Sequence, residues 1–99
     1  MLKIKVNTYT DIGIFLKEEK EKFFDAITHG IKSAIDDNTT MVRVAEFAIL
    51  DEDNIISIDI EEEDWNESLH LALYHYEGIE EYEKCGELQK LIDDIHNDR

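Results

Sequence analysis

Residues 2 to 6 alternate, with Leu2, Ile4 and Val6 on one side and Lys3 and Lys5 on the other. A period of two with β-branched residues predicts a strand. The next stretch, 7 to 15, pulls two ways: its threonines, Asp11 and Gly13 suit a turn, while Ile12, Ile14 and Phe15 ask for burial. From about 16 to 36, Leu16, Phe23, Phe24, Ile27, Ile31, Ala34 and Ile35 recur at steps of three and four. One long helix is expected there, with Lys17, Glu21, Asp25 and Lys32 largely opposite the apolar face. Gly30 costs that helix roughly 1 kcal/mol against alanine, which a good core face offsets. Asp36-Asp37-Asn38 supplies the stop.

Residues 41 to 50 are rich in Val, Phe and Ile and read as a strand. Asp51-Glu52-Asp53-Asn54 reads as a turn and residues 55 to 60 as a second strand, with Ile56, Ile58 and Ile60 inward and Ser57 and Asp59 outward. Asp64 has the character of a helix N-cap, with Glu67 three residues on as a capping box requires. Trp65, Leu69, Ala72, Leu73 and Tyr76 then share one helical face, and Gly78 is expected to break the helix. A further helix over about 80 to 96 carries Tyr82, Cys85, Leu88, Ile92 and Ile95. Two apolar-faced helices joined by a short turn predict an antiparallel helical hairpin. The fold class is therefore α+β: a small antiparallel sheet from the N-terminal strand and the 41–60 hairpin, a long helix and a C-terminal helical hairpin. One domain over 1–99 is expected, with a strand–helix–hairpin part over 1–62 and a helical hairpin over 63–99.

Charge changes this picture more than composition does. Four Phe, four Tyr and one Trp, with many Ile and Leu, predict a folded chain despite a net charge of −15. No apolar run approaches the roughly 18 residues of a membrane span, and the N-terminus lacks the apolar block of a signal peptide. A single cysteine, Cys85, allows no internal disulfide and suits a reducing, cytoplasmic setting. Residues 1 to 43 balance seven acids with seven bases, whereas residues 44 to 83 hold fourteen acids and no lysine or arginine. Such an asymmetry points to a basic partner or to a solvated face.

The stretch 80 to 95, EEYEKCGELQKLIDDI, adds a resemblance. Tyr82, Glu83, the small pair Cys85-Gly86, Leu88 and Ile92 fall as they do in the second helix of the UVR motif, the helical hairpin of the UvrB and UvrC proteins. Gln89-Lys90 stands where that family carries Arg-Asp. The resemblance implies a docking hairpin for protein–protein contact, with the small pair allowing close helix packing. The chain as a whole resembles small acidic accessory proteins of phages or bacteria.

Catalytic and metal-binding readings find little to stand on. There is no Gly-rich phosphate loop, Walker pattern or Gly-x-Ser-x-Gly elbow. His70 and His75 are five apart, which is wrong for two ligands on one helical face, and Asp51-Glu52-Asp53-Asn54 lacks the glycine and distal Glu of a calcium loop. Cys85 on the apolar stripe reads as a small core residue. No enzyme activity, cofactor or metal is expected.

Direct nucleic-acid binding is disfavoured, because a chain of net charge −15 is repelled by phosphates. The inverse is constructive. Outward carboxylates on a strand recur every ~6.6 Å and duplex DNA carries one charge per ~1.7 Å, so an acidic sheet face flanked by acidic helix ends could imitate a phosphate field. The expected function is a non-enzymatic interaction protein that binds a basic, nucleic-acid-binding partner, as an inhibitor that mimics nucleic acid. Its contact residues would be Asp51, Asp53, Asp59, Glu61, Glu62, Glu63 and Glu67. Tyr74 joins them, since within Tyr74-His75-Tyr76 at least one ring must face away from the helix core. The alternative is a UVR-like docking or assembly module acting through the apolar face of the C-terminal hairpin. A homodimer is compatible with either.

Overall fold

The computed structural model describes residues 1–98. In chain order these form β1 (Leu2–Val6), α1 (Tyr9–Glu18), α2 (Lys20–Asp36), β2 (Met41–Ile49), a single 3-10 turn at Leu50–Glu52, β3 (Asn54–Glu61), α3 (Glu62–Gly78) and α4 (Tyr82–Asp98). The fold is α+β, and it divides into two compact units, Met1–Ile60 and Glu61–Arg99.

In the first unit the three strands lie in the order β1-β2-β3. β1 runs parallel to β2, with Leu2 beside Ala45, Ile4 beside Phe47 and Val6 beside Ile49. The sheet is therefore mixed, which corrects the wholly antiparallel expectation. The reason is connectivity: α1 and α2 carry the chain back across the sheet before β2 begins, and such a crossover joins parallel neighbours.

The expected long helix over 16–36 is two helices. Asp11 accepts from the Thr8 N–H at 3.1 Å, half of a capping box, and so starts α1 inside the stretch that the sequence left undecided. Glu19, at φ −115° and ψ 42°, leaves the helical region and separates α1 from α2. No residue of α1 is fully buried; Phe15 instead reaches an edge-to-face contact with Phe47 at 5.6 Å.

α2 packs on β2 through Ile27, Ile31 and Ala34, which are buried, as are Val44, Ala45, Phe47 and Ile49. Gly30 faces Val42 and Val44 of the strand. A Cβ there would lie 2.8 Å from Val42 Cγ2. Along β2 the burial alternation slips by one residue at Val44–Ala45, both fully buried. Arg43 and Glu46, three apart, consequently share the outward face and pair at 3.7 Å. β3 behaves as its alternation predicts: Ile60 is buried, Ile56 and Ile58 are half-buried, and Ser57 and Asp59 are exposed.

The second unit is a helical hairpin in which α3 packs against α4. Lys84 near the start of α4 stands 4.8 Å over the Tyr76 ring, and His96 near its end lies 3.1 Å from the Asn66 side chain near the start of α3, so the helices are antiparallel. Trp65, Leu69, Ala72, Leu73 and Tyr76 of α3 are buried together with Leu88, Leu91 and Ile92 of α4.

Three local expectations need correction here. The N-cap of α3 is Glu61, not Asp64, because β3 runs into the helix without a loop; Glu62, Glu63 and Asp64 then fill its first turn, at the positive end of the helix dipole. α3 does end at Gly78, although the glycine is not its left-handed residue. The helix ends in a Schellman motif, with Glu80 N–H on the Glu77 carbonyl at 3.2 Å and Glu81 N–H on the Tyr76 carbonyl at 2.9 Å. The left-handed residue of that motif is Glu80, at φ 61°. Tyr82 is 69% exposed and so lies off the buried face expected of α4, while Cys85 is half-buried. Around Gly86 a Cβ would meet nothing within 4 Å, so this glycine does not serve a close helix approach.

Candidate partner-binding surface

The expected contact residues fall in both units. Asp51 and Asp53 stand exposed at the tip of the β2–β3 connection. That tip is fixed rather than loose: Asp51 N–H bonds to the Asn7 carbonyl at 3.1 Å, and Asn54 Nδ2 bonds to the Tyr9 hydroxyl at 3.1 Å. Asp53 turns the chain with a left-handed backbone at φ 47°, a conformation that aspartate tolerates better than most residues.

The outward face of the sheet is not an acidic plane. Asp59 accepts two hydrogen bonds from Arg43, from Nε at 2.8 Å and from Nη2 at 3.3 Å. That hydrogen bond, with the guanidinium charge behind it, holds the Asp59 carboxyl below its ordinary range, and Asp59 in turn raises Arg43. Lys3 is in register with Glu46 on the same face, and Lys5 follows two residues along β1. Bases from β1 and β2 thus stand among the acids, although Asp59 has none near it in sequence. Asp59 is already partnered within the protein.

The second unit differs. It contains thirteen acids and three bases, a net −10 of the chain's −15. α3 contains neither lysine nor arginine. Its buried face runs through Trp65, Leu69, Ala72, Leu73 and Tyr76, and at 100° per residue the direction opposite carries Glu63, Glu67, His70, Leu71 and Tyr74. Glu63 and Glu67 are exposed, and among the described residues neither makes an ion pair or a side-chain hydrogen bond. Leu71 is 55% exposed and Tyr74 64% exposed. Tyr74 is the ring of its trio that faces away from the core, since Tyr76 is buried and His75 half-buried. The Asn66 carbonyl accepts from His70 Nδ1 at 2.8 Å, which places the imidazole 6.4 Å from the Tyr74 ring.

Sequence reasoning found Glu63, Glu67 and Tyr74 but passed over Leu71 and His70. The available signal was that Leu71 lies off the apolar stripe, two residues from Leu69 and two from Leu73, and so had to point away from both. Glu61 is exposed at the cap of α3 and Glu62 half-buried in its first turn. Among the described residues no group of three His, Cys, Asp or Glu side chains is placed to hold a metal ion, and no helix is long and apolar enough to cross a membrane. Comparison with protein-family models, curated proteins and solved structures finds no match.

Proposed function

We propose that this is a non-enzymatic interaction protein that binds a basic partner, and that the helical unit carries the contact. One observation supports this above the others: the outward row of α3 joins two unpaired carboxylates, Glu63 and Glu67, to exposed apolar side chains, Leu71 and Tyr74. Acids kept for solubility alone need no exposed ring and leucine beside them. A unit of net charge −10 also steers a basic partner during encounter and loses that advantage as salt rises. Imitation of nucleic acid has less support from the sheet, whose outward acids are interleaved with Arg43, Lys3 and Lys5, and more from the helical hairpin.

The UVR-like alternative, docking through the apolar face of the hairpin, has its residues buried: Leu88, Leu91 and Ile92 are each less than a tenth exposed. A docking role is better served by the outward side of α3. The test is capture of lysate proteins on the immobilised chain, eluted by a salt gradient after nuclease treatment and repeated with a Glu63→Lys/Glu67→Lys variant. One basic protein, retained at low salt, released as salt rises and lost from the variant, is the expected result. Equal retention by both forms contradicts the proposal.

A further inference from the structure

Resting on that reading, we infer that the outward row of α3 docks a basic amphipathic helix, with bases lying over Glu63 and Glu67 and apolar side chains over Leu71 and Tyr74. The row advances by four, four and three residues, so it runs nearly along the helix axis for roughly 16 Å. A second helix packed alongside at about 8–10 Å presents its own side chains with the same repeat. Bases four apart would then meet the two carboxylates, and apolar residues one or two turns further would cover Leu71 and Tyr74.

The row is graded: its acids occupy the N-terminal half and its apolar groups the C-terminal half. That gradient fixes the direction in which a partner with separate basic and apolar turns can lie. An extended peptide fits less well. On a helix face it leaves its backbone N–H and C=O groups unpaired, whereas a helical partner satisfies its own.

A second copy of this chain is the obvious competitor for an exposed apolar patch, and charge argues against it. Antiparallel pairing of two α3 helices about Leu71 and Tyr74 brings Glu63 and Glu67 of one copy towards Glu77, Glu80 and Glu81 of the other. Parallel pairing sets each glutamate against itself. Both arrangements oppose like charges at neutral pH, and a basic helix relieves that cost.

The experiment uses the full chain and fluorescence anisotropy with two labelled synthetic peptides. One is an alanine-rich amphipathic helix that carries on a single face two lysines four apart followed by two leucines one and two turns further; the other has the same composition, reordered so that these four residues surround the helix. The amphipathic peptide is expected to bind about tenfold more tightly or better, and Leu71→Ala/Tyr74→Ala to remove about that advantage. Glu63→Lys/Glu67→Lys is expected to weaken both peptides. Equal binding of the two peptides, still lost on charge reversal, overturns the helix inference and leaves the basic-partner reading standing. A preference that survives Leu71→Ala/Tyr74→Ala overturns the assignment to this row. Binding of neither peptide at low salt overturns both readings. Sedimentation showing a dimer that Leu71→Ala/Tyr74→Ala converts to monomer assigns the row to self-association instead.

Discussion

Arg43 of β2 and Asp59 of β3 join side chains across neighbouring strands, Nε to Oδ1 at 2.8 Å and Nη2 to Oδ2 at 3.3 Å, on the face where the sequence pattern promised bare carboxylate. The pairing gives the sheet a defined acid response. Asp59 titrates below its ordinary value of 3.8 in the folded protein, so its contribution is complete above that value and is lost as pH falls through the lower, folded one. Chemical denaturation of the wild type and of Asp59→Asn is expected to show the wild type more stable at pH 7. The gap should narrow below about pH 4 and close in stronger acid. A gap that stays constant into strong acid contradicts the assignment.

Gly30 lets α2 sit against Val42, because a Cβ would come within 2.8 Å of Cγ2 on a stiff, β-branched side chain. Gly30→Ala gains roughly 1 kcal/mol of helix propensity but overpacks at a cost of about 1–3 kcal/mol. A net loss of about 1 kcal/mol is expected in urea unfolding. Adding Val42→Ala should turn the same glycine substitution neutral or favourable, a coupling that a double-mutant cycle reads directly.

Asn38 and Glu80 hold equivalent left-handed positions at the ends of α2 and α3, with φ of 57° and 61°. Each end carries the same pair of closing hydrogen bonds: Asn38 N–H to the Ile35 carbonyl and Thr39 N–H to the Ala34 carbonyl repeat the Glu80 and Glu81 pattern. Asparagine adopts that conformation at lower cost than glutamate does. Glu80→Gly is expected to raise stability by about 0.5–1 kcal/mol and Glu80→Asn by less. Thermal unfolding checks the order; a fall for both substitutions contradicts the motif.

The outward and inward aromatics of α3 should separate in their effects. Tyr74→Ala and Leu71→Ala are expected to change stability by no more than about 0.5 kcal/mol. Trp65→Ala and Tyr76→Ala remove fully buried rings and should cost about 3–5 kcal/mol each. Comparable losses for both pairs would mean that Tyr74 and Leu71 belong to the core rather than to a surface kept for a partner.

Periodicity in the sequence carries much of this fold. The buried residues of α3 are the five that steps of three and four picked out, and of the isoleucines that alternation placed inward on β3, Ile60 is buried and Ile56 and Ile58 half-buried. Other features turned on single residues whose effect is not periodic. Asp11 starts α1 by capping back onto Thr8, and Glu19 ends it with one backbone rotation. The parallel pairing of β1 with β2 was implicit in the long connection between them, which cannot make a tight hairpin.

The candidate surface was legible in a different way. Counting charges along the chain found the acids but treated isolation in sequence as isolation in space. Arg43 and Lys3 approach Asp59 and Glu46 only once the strands align. On α3 no base lies within reach in sequence, and Glu63 and Glu67 stay unpaired among the described residues. There the sequence count and the structure agree.

The most direct measurement of the central claim reverses charge in each unit separately and follows the basic protein that the chain captures at low salt. One variant carries Glu63→Lys/Glu67→Lys on α3; the other carries Asp51→Lys/Asp53→Lys at the sheet tip, an equal change in net charge. If the helical unit carries the contact, the α3 variant loses binding by about tenfold or more while the tip variant keeps most of it. Loss through the tip variant with α3 unaffected would contradict the assignment, and equal losses in both would mean that only net charge is being read.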